Sequence, residues 1–72
     1  MKMYVFEEVL WDYTAGMAMV LANTLEEAIE VCHREFEYSK DDWANCLAAV
    51  YDVQVTEQAQ NARVAHYVYG GG

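Results

Sequence analysis

The chain has no proline, a single serine (Ser39), and only four basic residues, Lys2, Arg34, Lys40 and Arg63. Glycine is confined to Gly16 and to the run Gly70, Gly71 and Gly72. Each scarcity excludes something. Apart from that glycine run the chain has no linker and no low-complexity segment, and its 56% hydrophobic content belongs to a globular domain. With four bases against 12 acids and a net charge of -8, phosphate backbones and anionic membrane surfaces are repelled. No apolar run approaches the roughly 20 residues that a membrane-spanning helix needs. The two cysteines, Cys32 and Cys46, form no disulfide framework, although a single bridge between them stays open. No secretory segment precedes the first strand-like stretch, so a cytoplasmic setting with reduced thiols is expected.

What the sequence does contain is strong local patterning within 72 residues, the length of one domain. Residues 3–11 are rich in β-branched and aromatic types and read as a strand. Asp12 to Gly16 supplies turn chemistry, with Gly16 suited to positive φ, and residues 17–22 read as the returning strand of a hairpin. Thr24 with Glu27, or Asn23 with Glu26, makes a capping box. Leu25, Ala28, Ile29, Cys32 and Phe36 then recur at helical spacing, predicting a helix to about residue 37 with a Glu30–Arg34 pair on its outer face. Ser39 or Asp41 can cap a short helical turn through Trp43 and Leu47. Residues 49–56 and 62–69 read as two further strands, joined by a polar connection.

The expected fold is therefore α+β in the order ββαββ, one helix packed on a four-stranded mixed sheet. It spans residues 1–69, followed by a flexible glycine tail at 70–72. A right-handed crossover through the helix places the first and last strands side by side and parallel. One helix covers one sheet face, yet the strands are apolar on both. In the first strand Met3, Val5, Val9 and Trp11 alternate with Tyr4, Phe6 and Leu10. Two readings of the second face stand together. A second copy covers it, through Tyr4, Phe6, Tyr67 and Tyr69, or these are ordinary exposed strand aromatics.

Catalytic and metal chemistry find little support in the residues. Glu7 and Glu8 are adjacent on a strand and point to opposite faces, so they cannot act as an acid–base pair. Cys32 and His33 are neighbours on a helix and diverge by about 100°. No ligand spacing of the zinc type occurs, no motif calls for a cofactor, and no group activates Ser39. A non-enzymatic role is expected. The acids are the more substantial feature. Glu26, Glu27, Glu30 and Glu37, with Asp41 and Asp42, lie on or beside the helix, with Tyr38 and Trp43 as aromatic anchors at their edge. Carboxylates about 5.4 Å apart per helical turn can imitate a row of phosphates spaced about 3.4 Å. Such a face suits a basic, nucleic-acid-binding surface on another protein. A solvated helix face is the plainer alternative.

Two resemblances add expectations. The ββαββ order ending in Gly71-Gly72 resembles the ubiquitin-like β-grasp proteins, which implies a carrier activated at its terminal glycine. Its acidic helix, and a last strand that is not basic, depart from ubiquitin. The segments Tyr4-Val5-Phe6-Glu7-Glu8-Val9-Leu10, Asp12-Tyr13-Thr14-Ala15-Gly16-Met17, Leu25-Glu26-Glu27-Ala28 and Tyr67-Val68-Tyr69-Gly70-Gly71-Gly72 look like small phage and prophage proteins. That likeness implies an inhibitor of host defence, of the anti-CRISPR kind, acting in the bacterial cytoplasm. No motif in those segments reports chemistry.

Overall fold

A computed structural model describes residues 1–12, 14–36, 38–54 and 61–71. Its elements are β1 (Lys2–Asp12), β2 (Thr14–Ala22), α1 (Leu25–Glu35), α2 (Lys40–Asn45), β3 (Leu47–Asp52) and β4 (Arg63–Val68). The four strands form one sheet in the order β3-β1-β2-β4, and every neighbouring pair is antiparallel. The fold is α+β, but the sheet is not mixed, and among the described residues two helices rather than one accompany it.

The expected parallel pairing of first and last strands is thus overturned. The reason lies in where α2 delivers the chain. Trp43 of α2 packs edge-on against Phe6 of β1, with ring centroids 5.3 Å apart. The chain leaving α2 consequently emerges beside β1, where Glu7 N–H donates to the Cys46 carbonyl at 3.0 Å. β3 takes that edge, and β4 takes the remaining edge of β2.

The hairpin also differs from expectation. Instead of a five-residue loop, β1 and β2 pair as far as Asp12 and Thr14, with register shifts between Glu7 and Val9 and between Val9 and Asp12. These shifts coincide with left-handed backbone at Glu8 (φ 59°) and Leu10 (φ 54°), a conformation that L-residues adopt at a cost. The bulge at Glu8 reverses the alternation of β1. Val9 turns to the same side as Tyr4 and Phe6, so all three, with Leu10, are buried. No described glycine has positive φ. Gly16 is needed for close approach instead, since a Cβ there would meet the Val68 carbonyl oxygen.

α1 starts as the capping box predicts in its Thr24 register. Thr24 Oγ1 accepts from Glu27 N–H at 3.2 Å, and Glu27 Oε1 accepts from Asn23 N–H at 3.1 Å. The helix stops at Glu35, short of residue 37, because Phe36 turns extended (φ -131°, ψ 158°). Its ring then meets Trp43, Tyr67 and Tyr69 at 5.6, 5.5 and 6.4 Å. α2 is capped by Ser39, whose Oγ accepts from Asp42 N–H at 3.2 Å. It ends before Leu47, which opens β3 two residues earlier than its sequence suggests.

The core lies between the helices and one sheet face. Tyr4, Phe6, Ala18, Val20 and Ala22 of the sheet meet Ala28, Val31 and Cys32 of α1 and Trp43 of α2, all buried. Alanines at 18, 22 and 28 let the helix approach closely. Each large side chain removed from water there contributes about 1.5–3 kcal/mol. Among the described residues no helix lies on the other sheet face. Cross-strand partners share a face, so the register sets out three rows on it. Tyr51, Met3, Leu21 and Arg63 form one row. Ala49, Val5, Met19 and His66 form the next. Glu7, Met17 and Val68 form the third.

Candidate functional site

The helical layer presents its acids outward. Glu26, Glu30 and Glu35 of α1 and Asp41 and Asp42 of α2 are exposed. Glu27 is half-buried, and its carboxylate is committed to the Asn23 N–H. It belongs to the helix cap as much as to any binding surface. Glu37 lies outside the described residues. The row of acids is broken by one base: Lys40 reaches Glu30 at 3.9 Å, and Glu26, Ile29, Glu30 and Lys40 line a shallow cleft. The expected Glu30–Arg34 pair is replaced by Arg34 to Glu35 at 3.8 Å. Both pairs are solvent-exposed and contribute little to stability.

The expected aromatic anchors are rearranged. Trp43 is fully buried at 0% exposure and cannot anchor a partner. As the one large apolar residue in the polar turn Lys40-Asp41-Asp42-Trp43-Ala44-Asn45, it is the side chain that must point inward, a signal already present in the sequence. Tyr38 is half-buried and held in place. Its hydroxyl accepts from Trp11 N–H at 2.9 Å, and its carbonyl lies 3.0 Å from His33 Nδ1, which must therefore carry the proton.

The exposed aromatic beside the acids is Trp11, 57% exposed, with its indole N–H donated to the Glu8 carbonyl at 2.9 Å. Trp11, Tyr38, Glu8, Val9, Asp42 and Cys46 enclose a cleft of about 270 Å³. Sequence reasoning missed Trp11 because uninterrupted alternation places it on a sheet face. The two left-handed residues before it turn it to the rim.

The expected sheet-face contacts divide as well. Tyr4 and Phe6 lie in the helix-covered core, 5% and 0% exposed, because the helices pack on their side of the sheet. Tyr67 and Tyr69 are about half exposed, but they stand on the helical side, against Phe36. None of the four is on the open face. The end of α1 and β4 flank a cleft lined by Arg34, Glu35 and residues 63–67, of which the register sets Val64 and Tyr67 toward the helices and Arg63 and His66 toward the other sheet face.

Both cysteines are free thiols. Burial pushes the Cys32 thiol up to about 12 from 9.0. Cys46 is also raised, first by burial and then by the charges of Glu8 and Asp42. Neither is a thiolate near neutral pH, so neither is an activated nucleophile. Among the described residues no three His, Cys, Asp or Glu side chains converge as a metal site requires, and no helix is long and apolar enough to cross a membrane.

The glycine run is tied down as far as it is described. Gly70 is buried and donates to the Leu10 carbonyl at 3.0 Å. Gly71 N–H donates to Thr14 Oγ1 at 3.0 Å, and the hydroxyl returns a bond to the Gly71 carbonyl at 3.1 Å. A Cβ at Gly70 would collide with the Thr14 carbonyl oxygen. Gly72 lies outside the described residues. No protein-family model, curated protein or solved structure matches this chain.

Proposed function

We propose that this chain is a non-enzymatic binding protein that occupies a basic, nucleic-acid-binding surface of another protein. The observation that carries the reading is the outward display of Glu26, Glu30, Asp41 and Asp42 on two capped helices, beside the exposed Trp11. Rigid acids attract and orient a basic partner over distance, and a tryptophan at their border supplies desolvated contact. The likeness of several segments to small phage proteins gives the partner class: a host defence complex, such as an RNA-guided nuclease, with its nucleic-acid channel as the target. A carrier activated at its terminal glycine draws less support, since Gly70 and Gly71 are bonded to the β1–β2 hairpin and not free to thread an enzyme.

The test is capture of partners from a bacterial lysate at low and high salt, with the wild type and a Glu26→Lys, Glu30→Lys variant. Glu27 is left in place because its reversal would damage the cap. Screening shortens the reach of exposed charges to about 8 Å at physiological ionic strength. A nucleic-acid-binding protein retained at low salt, released at high salt and lost in the variant supports the proposal. Equal capture by wild type and variant refutes it.

A further inference from the structure

We infer that the cleft between Trp11 and Asp42 receives a single arginine side chain of the basic partner, its guanidinium stacked on the Trp11 indole and its N–H groups donated to the Glu8 and Asp42 carboxylates. This rests on the reading that the partner is a basic protein, and it names the group that such a partner inserts.

The platform is built before any partner arrives. Trp11 is 57% exposed, yet it is fixed at both ends. Its indole N–H is donated to the Glu8 carbonyl and its backbone N–H to the Tyr38 hydroxyl, each at 2.9 Å. A fixed ring loses little freedom on binding, which makes it an effective anchor. The register shifts of β1 on either side of Val9 aim this ring at the rim. The first turn of α2 sets Asp42 against the same cleft, and Tyr38 and Cys46 complete the lining.

The cleft stands at the Glu8–Trp11 end of β1. β3 finishes and β4 begins at the opposite end, where Asp52 pairs with Lys2 and Arg63 with Leu21, itself opposite Met3. At about 3.3 Å per strand residue, Lys2 and Glu8 are about 20 Å apart. The described ends of the β3–β4 connection therefore lie away from the cleft.

Three observations select arginine as the occupant. The first is charge. Glu8 and Asp42 are both exposed and both line the cleft, whereas none of the four bases, Lys2, Arg34, Lys40 and Arg63, does. After burial, the charges of Glu8 and then Asp42 hold the Cys46 thiol above its ordinary value, so both carboxylates bear on the cleft lining. The second is size. The cleft holds about 270 Å³, several times the roughly 30 Å³ share of a water molecule and below the roughly 300–1,000 Å³ of small-molecule pockets. One side chain suits such a space. The third is shape. A flat aromatic wall beside carboxylates matches a planar guanidinium, which stacks by its face and donates along its edge. A lysine ammonium is a compact, strongly hydrated charge with no face to stack.

Titration with oligo-arginine and oligo-lysine peptides of equal length at low salt tests this, followed by the two tryptophan indole N–H resonances in a heteronuclear NMR spectrum. Trp43, fully buried, is the internal reference. Oligo-arginine is expected to shift the Trp11 resonance, to leave that of Trp43 in place, and to bind Trp11→Ala about fivefold more weakly. Oligo-lysine is expected to leave Trp11 unshifted. Far-UV circular dichroism checks that the variant is folded, and Asp42→Asn, expected to weaken oligo-arginine binding likewise, serves if Trp11→Ala does not fold. A Trp11 resonance that stays in place, one that shifts equally with oligo-lysine, or an affinity unchanged in a folded variant overturns the inference. The Glu26→Lys, Glu30→Lys variant keeps the two readings apart. If it loses affinity for oligo-arginine while Trp11→Ala and Asp42→Asn do not, the helical acids bind a basic partner and the cleft does not receive its arginine.

Discussion

Replacing Trp43 by phenylalanine and, separately, by alanine distinguishes two costs that coincide at one side chain. Trp43 is fully buried among Phe6, Phe36 and Tyr38, and its indole N–H has no hydrogen-bond partner among the described residues. Neighbouring ring faces are at best weak acceptors. Truncation to alanine removes the packing that joins α2 to β1 and costs about 3–5 kcal/mol. A domain of this length has a total stability on the order of 5 kcal/mol, so that variant sits at the edge of unfolding. Phenylalanine keeps most of the aromatic contact. The smaller ring leaves a void of roughly 40 Å³, which costs about 1 kcal/mol. Against that, it removes a buried unsatisfied donor, whose desolvation costs about 1–3 kcal/mol. The two nearly cancel, so Trp43→Phe is expected to stay within about 1 kcal/mol of wild type. Urea unfolding followed by far-UV circular dichroism measures both variants without relying on the fluorescence of the altered residue. If Trp43→Phe loses as much as Trp43→Ala, the indole N–H is satisfied after all and the reasoning fails.

Three further outcomes follow from other parts of the molecule. Gly70→Ala is expected to destabilise by about 1–3 kcal/mol, as overpacking does, because a Cβ there meets the Thr14 backbone; thermal unfolding beside Gly71→Ala, which meets open space, checks it. Folded Cys32 keeps its proton to about pH 12, whereas the free thiol loses it near 9.0. Its contribution is therefore whole below pH 9, and stability falls between these values by up to about 1.4 kcal/mol per pH unit as the unfolded chain binds fewer protons. Urea titrations at several alkaline pH values are expected to show a shallower decline for Cys32→Ala, and equal slopes would contradict a desolvated thiol. At Glu8, whose φ is 59°, glycine is expected to cost nothing measurable while valine costs about 1–2 kcal/mol, read from chemical denaturation of the two variants.

The local elements were legible in the sequence because their causes are local. Thr24 and Glu27 start α1, Ser39 caps α2, and β-branched and aromatic runs mark four strands, each through residues only a few positions apart. The charge balance, and with it the expectation of a basic partner, is likewise a property of composition. Strand order was not legible. It depends on Trp43 meeting Phe6, a contact 37 positions apart in the chain that delivers β3 to the edge of β1. The facing of Val9 and Trp11 was hidden for a related reason. Period-2 alternation assumes an unbroken pleat, and the left-handed residues Glu8 and Leu10 break it where β1 bends against β2. For the same reason the strand aromatics divided unexpectedly. Tyr4 and Phe6 are apolar enough for either an interface or a core, and only the side on which the helices pack decided that they are core. That the strands carry apolar residues on both sides was legible in the sequence, because it follows from period-2 alternation alone. The tertiary structure alone decided that Met3, Met17 and Met19 lie on the side away from the described helices, because a sheet has two sides and α1 and α2 pack on one.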